Sequence, residues 1–455
     1  MRTVLINAYS VLIGRIGCVS IHIDNKKKRI ITYLMIFILG ILGIIRPFKF
    51  SLKDIIHYTD SAAIITGSIA LLVLLIAATD IFRDYKRIIT NKACLYGWML
   101  CSLMIFIMSF INPVRTGYFA WGIVGLFISV PFVMVWAARD DFSLFCTVLS
   151  RAMTAAAGCF IIINLLIAPL IKPLSACYSG LMGNPNGNGM ICVGLYAASF
   201  FLLLTEEKGA LGFSVITGFL IALSYVSVCR AAQLAIALQS VAGLVYYLKV
   251  LKNKGRILNI NKILMTCSVI VIAAIVSGYI LTEIGRMDLN VYAYNEVGAV
   301  TSEERINELL NSLDAKSAGR VRIWRAFIAE STFWGNGSPE APLIPGYEAS
   351  IYAHNNAIEI LYTSGVIAFI GYVLFLISGV VFVLRCLVGK NGYNKEYTLV
   401  IMAFTGYFVE AMLEIVMYPM CHMPAILLNL CMMPLFISHK KESEQIKTAT
   451  GDQNA

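Results

Sequence analysis

The feature that most limits this chain is a series of apolar stretches, each roughly 17 to 22 residues long, because about 20 apolar residues in a helix cross a ~30 Å hydrocarbon layer. They begin near Ile30, Ser61, Ala93, Gly117, Ala152, Gly189, Leu211, Ala231, Ile263, Gly365, Tyr397 and Pro424. A backbone in lipid must satisfy its own N–H and C=O groups, and segments of this length do so as helices. The expected fold is therefore all-α, a polytopic membrane protein with about 12 transmembrane helices. Composition agrees, since 59% of the 455 residues are hydrophobic and only 14% charged. The mean hydropathy of +0.78 lies far outside the range of soluble domains.

The formal net charge of +10 invites a nucleic-acid reading, but its placement argues for topology instead. With "KKKR" (Lys26 to Arg29) held inside, "RDYKR" at Arg83, "KVLKNKGR" at Lys249 and the tail "HKKESEQIK" fall on the same side. That bias puts both termini in the cytoplasm and predicts no nucleic-acid partner. The opening "MRTVLINAYSVLIGRIGCVS" lacks the apolar core and small-residue cleavage site of a signal peptide and reads as an interfacial segment. The 12 cysteines are scattered through apolar runs with no C-x-x-C pair, so they read as small core residues and no metal site is expected.

The organisation that follows has about nine spans in residues 1–281 and about three in 356–438, with a large extracytoplasmic loop at 282–355 and a disordered tail at 439–455. A loop that long implies a lid or a binding role. It is expected to be partly helical. "TSEERINELLNSLDAK" opens with a capping box, Thr301 and Glu304, and sets Ile306, Leu309, Leu310 and Leu313 on one face. "GRVRIWRAFIAESTFWGNG" gives a second amphipathic stretch ending in a Gly/Asn turn.

Several polar residues in or beside the spans invite chemistry, and each has a plain structural alternative. Arg230 follows an apolar run between two spans with almost no loop, where it either clamps a phosphate or snorkels to headgroups. Arg320 and Trp324 share a helical face, which suits a guanidinium stacked near an indole, while Arg322 and Arg325 share another that could simply be solvated. His354 precedes a helix starting near Asn355 and is either a base kept neutral by the helix dipole or a cap. Glu359 could orient that ring or face water. Glu410 and Glu414, one turn apart near the outer end of a span, are expected to pair with an arginine. "SGLMGNPNGNG", with Asn184 and Asn186, is either an amide-rich anion corner or a tight loop. No outward segment carries a D-x-D pair to hold a divalent metal, so a phosphate leaving group on that side would meet arginine.

The order "GLMGNPNGNG", "SVCRAA", "GRVRIW", "GNG" and "AHNNAIEILYTSG" resembles the O-antigen polymerase and ligase superfamily, integral-membrane glycosyltransferases of the GT-C type. The resemblance covers roughly Ser179 to Phe375. It departs from the family at Cys229, where serine is common, and in the Pro-rich "SPEAPLIPGYEAS". It implies a bacterial cytoplasmic-membrane enzyme with its site on the extracytoplasmic face, working without metal or cofactor. The implied donor is a polyprenyl diphosphate-linked glycan, and the implied partners are a glycan acceptor, membrane lipid and polysaccharide-assembly proteins. By position, His354 matches the proposed base, while Arg230 and Arg320, with Arg322 beside them, match the diphosphate-holding arginines; Trp324, Asn355, Glu359, Glu410, Glu414, Asn184 and Asn186 are expected to support them. Polymerase and ligase remain alternatives at this level, and a lipid-linked oligosaccharide transporter or a non-catalytic scaffold are readings from other classes.

Overall fold

The computed structural model describes residues 24–45, 91–111, 135–138, 141–167, 185–206, 208–255, 260–286, 320–336, 342, 352–389, 394–414, 416 and 425–437. Helices account for nearly all of these, and no strand occurs among the described residues. In chain order they are α1 (Asn25–Ile45), α2 (Lys92–Ile111), α3 (Phe142–Ile162, continued by a π turn at Ile163–Ile167), α4 (Pro185–Thr205), α5 (Ala210–Val226), α6 (Arg230–Asn253), α7 (Ile260–Arg286), α8 (Arg320–Glu330), α9 (Asn356–Val388), α10 (Tyr397–Leu413) and α11 (Ala425–Met432), which a 3-10 turn extends through Phe436.

Among the described residues, five stretches are long and apolar enough to cross a membrane: Phe142–Leu166, Asn186–Thr205, Arg230–Asn253, Ile263–Ile284 and Asn356–Val388. The expected dozen is thus met only at the coarser level of an all-helical, membrane-compatible chain. Lys92–Ile105, Ala210–Val226, Tyr397–Leu413 and Leu427–Phe436 are apolar but shorter. The runs near Ser61 and Gly117, the helix expected from Thr301, Asn184, the N-terminal segment and the C-terminal tail lie outside the described residues.

Burial sorts the helices. α4 sits in the middle, packed on α3, α5, α6, α10 and α11, and 89% of its apolar window is buried. α7 is the opposite case, with 6% buried, packing chiefly on α5 and turning Leu264, Met265, Ile275 and Tyr279 outward. An apolar helix exposed on most sides is what a lipid-facing span requires. Trp98, Phe375, Tyr407 and Phe436 form an edge-on aromatic cluster that joins α2, α9, α10 and the end of α11. The described cysteines are mostly buried thiols within this packing.

The two ends of the bundle differ in charge. At one end, Lys249 Nζ donates to the carbonyl oxygens of Leu387 at 2.7 Å and Gly389 at 2.6 Å, capping the C-terminal end of α9. Arg151, Lys252, Lys254, Arg385 and Lys395 gather toward that same end. The other end collects the N-termini of α4, α6, α8 and α9 with the C-terminus of α10.

What positions α8 at that end is a backbone lock. α9 breaks at Gly365, whose φ of 82° is left-handed. The N–H of Val366 donates to Phe333 O at 2.9 Å, and Asn336 N–H donates to Tyr362 O at 2.7 Å, so the six residues after α8 take up groups that the kink releases. A Cβ on Gly335 (φ 83°) would lie 2.6 Å from Gly365 N and from Thr363 O, so only glycine fits both strands of the contact. Ile323 and Phe327 of α8 then pack on Ala353 and Tyr362, the two rings meeting edge-on at 4.8 Å.

Gly335→Ala and Gly365→Ala should each cost roughly 1–3 kcal/mol or more through left-handed strain and overlap. Gly212→Ala on α5, where a Cβ meets nothing within 4 Å, serves as the control. Thermal unfolding in detergent should rank the two lock variants well below the control, and equal midpoints would remove the lock from the account.

Candidate functional site

Glu414 is the C-cap of α10 and the point on which this end converges. Its carboxylate is 3% exposed. Oε1 accepts from Arg320 Nη2 at 2.9 Å and from Asn186 Nδ2 at 2.7 Å, while Oε2 lies 3.0 Å from His354 Nδ1. α8, α4 and the segment before α9 thus each place one side chain on a single buried acid.

The local sequence explains why Glu414 sits so firmly. Asn355 Nδ2 donates to Met412 O at 3.1 Å, Asn356 Oδ1 accepts from Val416 N at 2.9 Å, and Asn429 Nδ2 donates to Val416 O at 3.0 Å. Backbone on both sides of Glu414 is therefore held by buried amides, each of which also satisfies a polar group freed where α10 ends. The second Asn of "HNNA" and Asn429, inside an apolar run, are positioning residues that the sequence reading passed over. The available signal was their polarity within apolar surroundings.

His354 is not the cap. Asn355 is, its Oδ1 accepting from the N–H groups of Ala357 and Ile358 at 3.0 and 3.1 Å. His354 stands one residue earlier with φ 47°, a left-handed conformation uncommon outside glycine and asparagine. The neighbouring backbone is pinned to hold it there. Trp324 Nε1 donates to Ala353 O at 2.8 Å, and Ala353 N–H donates to Glu359 Oε2 at 2.9 Å. Two expectations are corrected by these contacts. Trp324 makes no cation–π contact with Arg320 among the described residues, because its indole is turned to the Ala353 carbonyl. Glu359, buried in the first turn of α9, holds the backbone before the histidine, and the carboxylate on the ring is Glu414.

With Nδ1 facing a carboxylate, the neutral imidazole carries its proton there and presents Nε2 as an acceptor. Nε2 has no partner among the described residues, and the side chain is 32% exposed. Arg320 is 21% exposed and uses only Nη2 on Glu414, which leaves the rest of its fork available.

Arg230 is the first residue of α6 and is exposed, with no ion pair among the described residues. The residue before it ties it to the cluster: a Cβ on Gly189 of α4 would overlap Cys229, and Cys229 lies within electrostatic reach of Glu410, Glu414 and Arg320. Val228, two residues back, is the other non-glycine with positive φ. The structure does not bring Arg322 into this group. It is exposed on α8, about 200° round the helix from Arg320 at 3.6 residues per turn. Glu410, also expected to pair with an arginine, is fully buried a turn deeper and makes no side-chain hydrogen bond among the described residues; the Arg320 guanidinium bonds to Glu414.

The N-termini of α4, α6, α8 and α9 converge here, so the backbone adds partial positive charge to Arg230 and Arg320. The arrangement can hold an anion beside a ring nitrogen that accepts a proton. Comparison of the chain with protein-family models and with curated proteins finds no match to either.

Removing the shared acid should be costly. Glu414→Leu strands a mostly buried guanidinium and should lower stability by about 2–3 kcal/mol, whereas Glu206→Leu, which breaks the exposed Arg151 pair at 3.0 Å, should cost less than about 1 kcal/mol. Paired unfolding measurements in one detergent give the comparison, and similar losses would deny Glu414 its central place.

Proposed function

We propose that this chain is an integral-membrane glycosyltransferase that moves a glycan from a polyprenyl diphosphate carrier onto a hydroxyl of a lipid-linked acceptor repeat unit, and so extends a surface polysaccharide. The observation that supports this most directly is the sharing of Glu414 by Arg320 and His354 at an end ringed by helix N-termini. The resemblance of "GLMGNPNGNG", "SVCRAA", "GRVRIW" and "AHNNAIEILYTSG" to the O-antigen polymerase and ligase superfamily supplies the substrate class.

The chemistry is a single displacement. The acceptor hydroxyl attacks the anomeric carbon of the donor sugar, its O–H proton passing to Nε2 of His354 as the new C–O bond forms. The bond from that carbon to the carrier diphosphate breaks, and its electron pair leaves with the diphosphate. Arg320 and Arg230, with the adjacent backbone N–H groups, stabilise the charge that accumulates on the leaving oxygens. Attack from the face opposite the leaving group inverts the carbon. Donor and acceptor are both lipid-borne, which fits a site at the end of a bundle whose outer helices are apolar enough to lie in a membrane.

In a cell-free assay with lipid-linked repeat units, the wild type should lengthen lipid-linked chains, and His354→Ala should slow the reaction on the order of 100- to 10,000-fold. Arg320→Lys should also lose activity, because a point charge replaces a fork. A His354→Ala protein that still extends chains at the wild-type rate would sink the proposal. A product attached to an acceptor other than the repeat unit would identify a ligase, and retained transport of lipid-linked sugar without new bonds would identify a transporter.

A further inference from the structure

We infer that Glu414 couples anion binding at Arg320 to protonation of His354, so that the base strengthens when a diphosphate is seated. This rests on the reading of Arg320 as an anion-binding residue and of His354 as a base.

One carboxylate serves both groups through different oxygens, Arg320 on Oε1 and His354 on Oε2, and it is almost entirely withdrawn from solvent. Charges in such a place are weakly screened, so each partner of Glu414 feels the other. While the guanidinium leans on Glu414, it offsets the negative charge that would otherwise hold a proton on the imidazole. An anion that engages the free part of the Arg320 fork draws that positive charge toward itself. Glu414 then acts on His354 with less compensation, and the proton affinity of the ring rises. Asn186 remains on Oε1 and keeps the carboxylate in place through the exchange.

The other charged groups around the ring do not offer this route. Glu359, from the first turn of α9, gives its Oε2 to the Ala353 N–H and holds the backbone before the ring. Glu410, a turn deeper on α10, is fully buried and makes no side-chain hydrogen bond with Arg320 or with His354 among the described residues. Among the described residues, Glu414 is the group that touches both the anion-facing guanidinium and the imidazole.

The consequence is an ordering of events. His354 becomes a full-strength base when the leaving group is in position, and not before, which limits proton abstraction from a hydroxyl that has no donor sugar to attack. By linkage, a protonated His354 must favour anion binding by the same factor.

The experiment is nuclear magnetic resonance of the full-length chain, labelled with nitrogen-15 histidine and held in lipid nanodiscs, with inorganic pyrophosphate as the probe. The His354 signal is assigned by its loss in His354→Gln. In the wild type the neutral ring should carry its proton on Nδ1; an Nε2-protonated ring overturns the inference without any further variant. Saturating pyrophosphate should raise the proton affinity of His354 at least about fivefold, and Glu414→Gln should reduce that rise to less than about twofold. An equal rise in Glu414→Gln would mean that the anion acts on the ring directly, and would overturn the coupling. Pyrophosphate that binds with no rise in the wild type overturns it too, yet leaves the anion site standing. Failure of pyrophosphate to bind would remove the anion site and the coupling together.

Discussion

A carboxylate buried at the end of a membrane helix bundle is costly to keep ionised, because burial removes the water that would stabilise its charge. Glu414 is held in that position by three donors from three different parts of the chain: Asn186 at the start of α4, Arg320 at the start of α8, and His354 just ahead of α9. None of these contacts can form unless all of those helices end at the same level. The one acid therefore acts as a register mark for this end of the bundle, and the amides of Asn355, Asn356 and Asn429 clamp the backbone around it.

The backbone lock serves the same centre from farther off. A helix running unbroken from Asn356 to Val388 would offer no exposed N–H or C=O to α8 or to the turn behind it. The break at Gly365 frees such groups, and Phe333 and Asn336 take them up. With α8 fixed against Tyr362, Arg320 at its first residue has one place to go. The left-handed backbone at His354 belongs to the same logic: the strain is held by the Trp324 and Glu359 contacts to Ala353, and it turns the ring toward Glu414 instead of along the helix.

Much of this end was legible as residue types. Arg230, Arg320, His354 and Glu414 could each be singled out, since a charged group beside or within an apolar run needs a reason to be there. Their roles relative to one another were legible only in part: an arginine was expected beside Glu414, and Arg320 is there, but the other partners were not to be read from spacing. Glu359, only five residues from His354, could orient the ring or face water on sequence alone; it does neither, and the acid on the ring is Glu414, 60 positions away. Trp324 looked like a platform for Arg320 and is a strut for the backbone before the histidine. Arg322 and Arg325 could be placed on a different face of α8 from Arg320 by spacing alone, and both are exposed.

Sequence alone determined that the chain is helical and apolar enough for a membrane, because the length of an apolar run and the demand that backbone polar groups be satisfied are local properties. It also marked where basic charge gathers at one end, and named the polar residues that burial would make costly. The tertiary structure decided which of those residues share a partner, which helix faces inward, and where a helix must break to receive another. Such choices depend on contacts between segments far apart in the chain, and on the one arrangement in which every buried charge near Glu414 except Glu410 finds a counterpart.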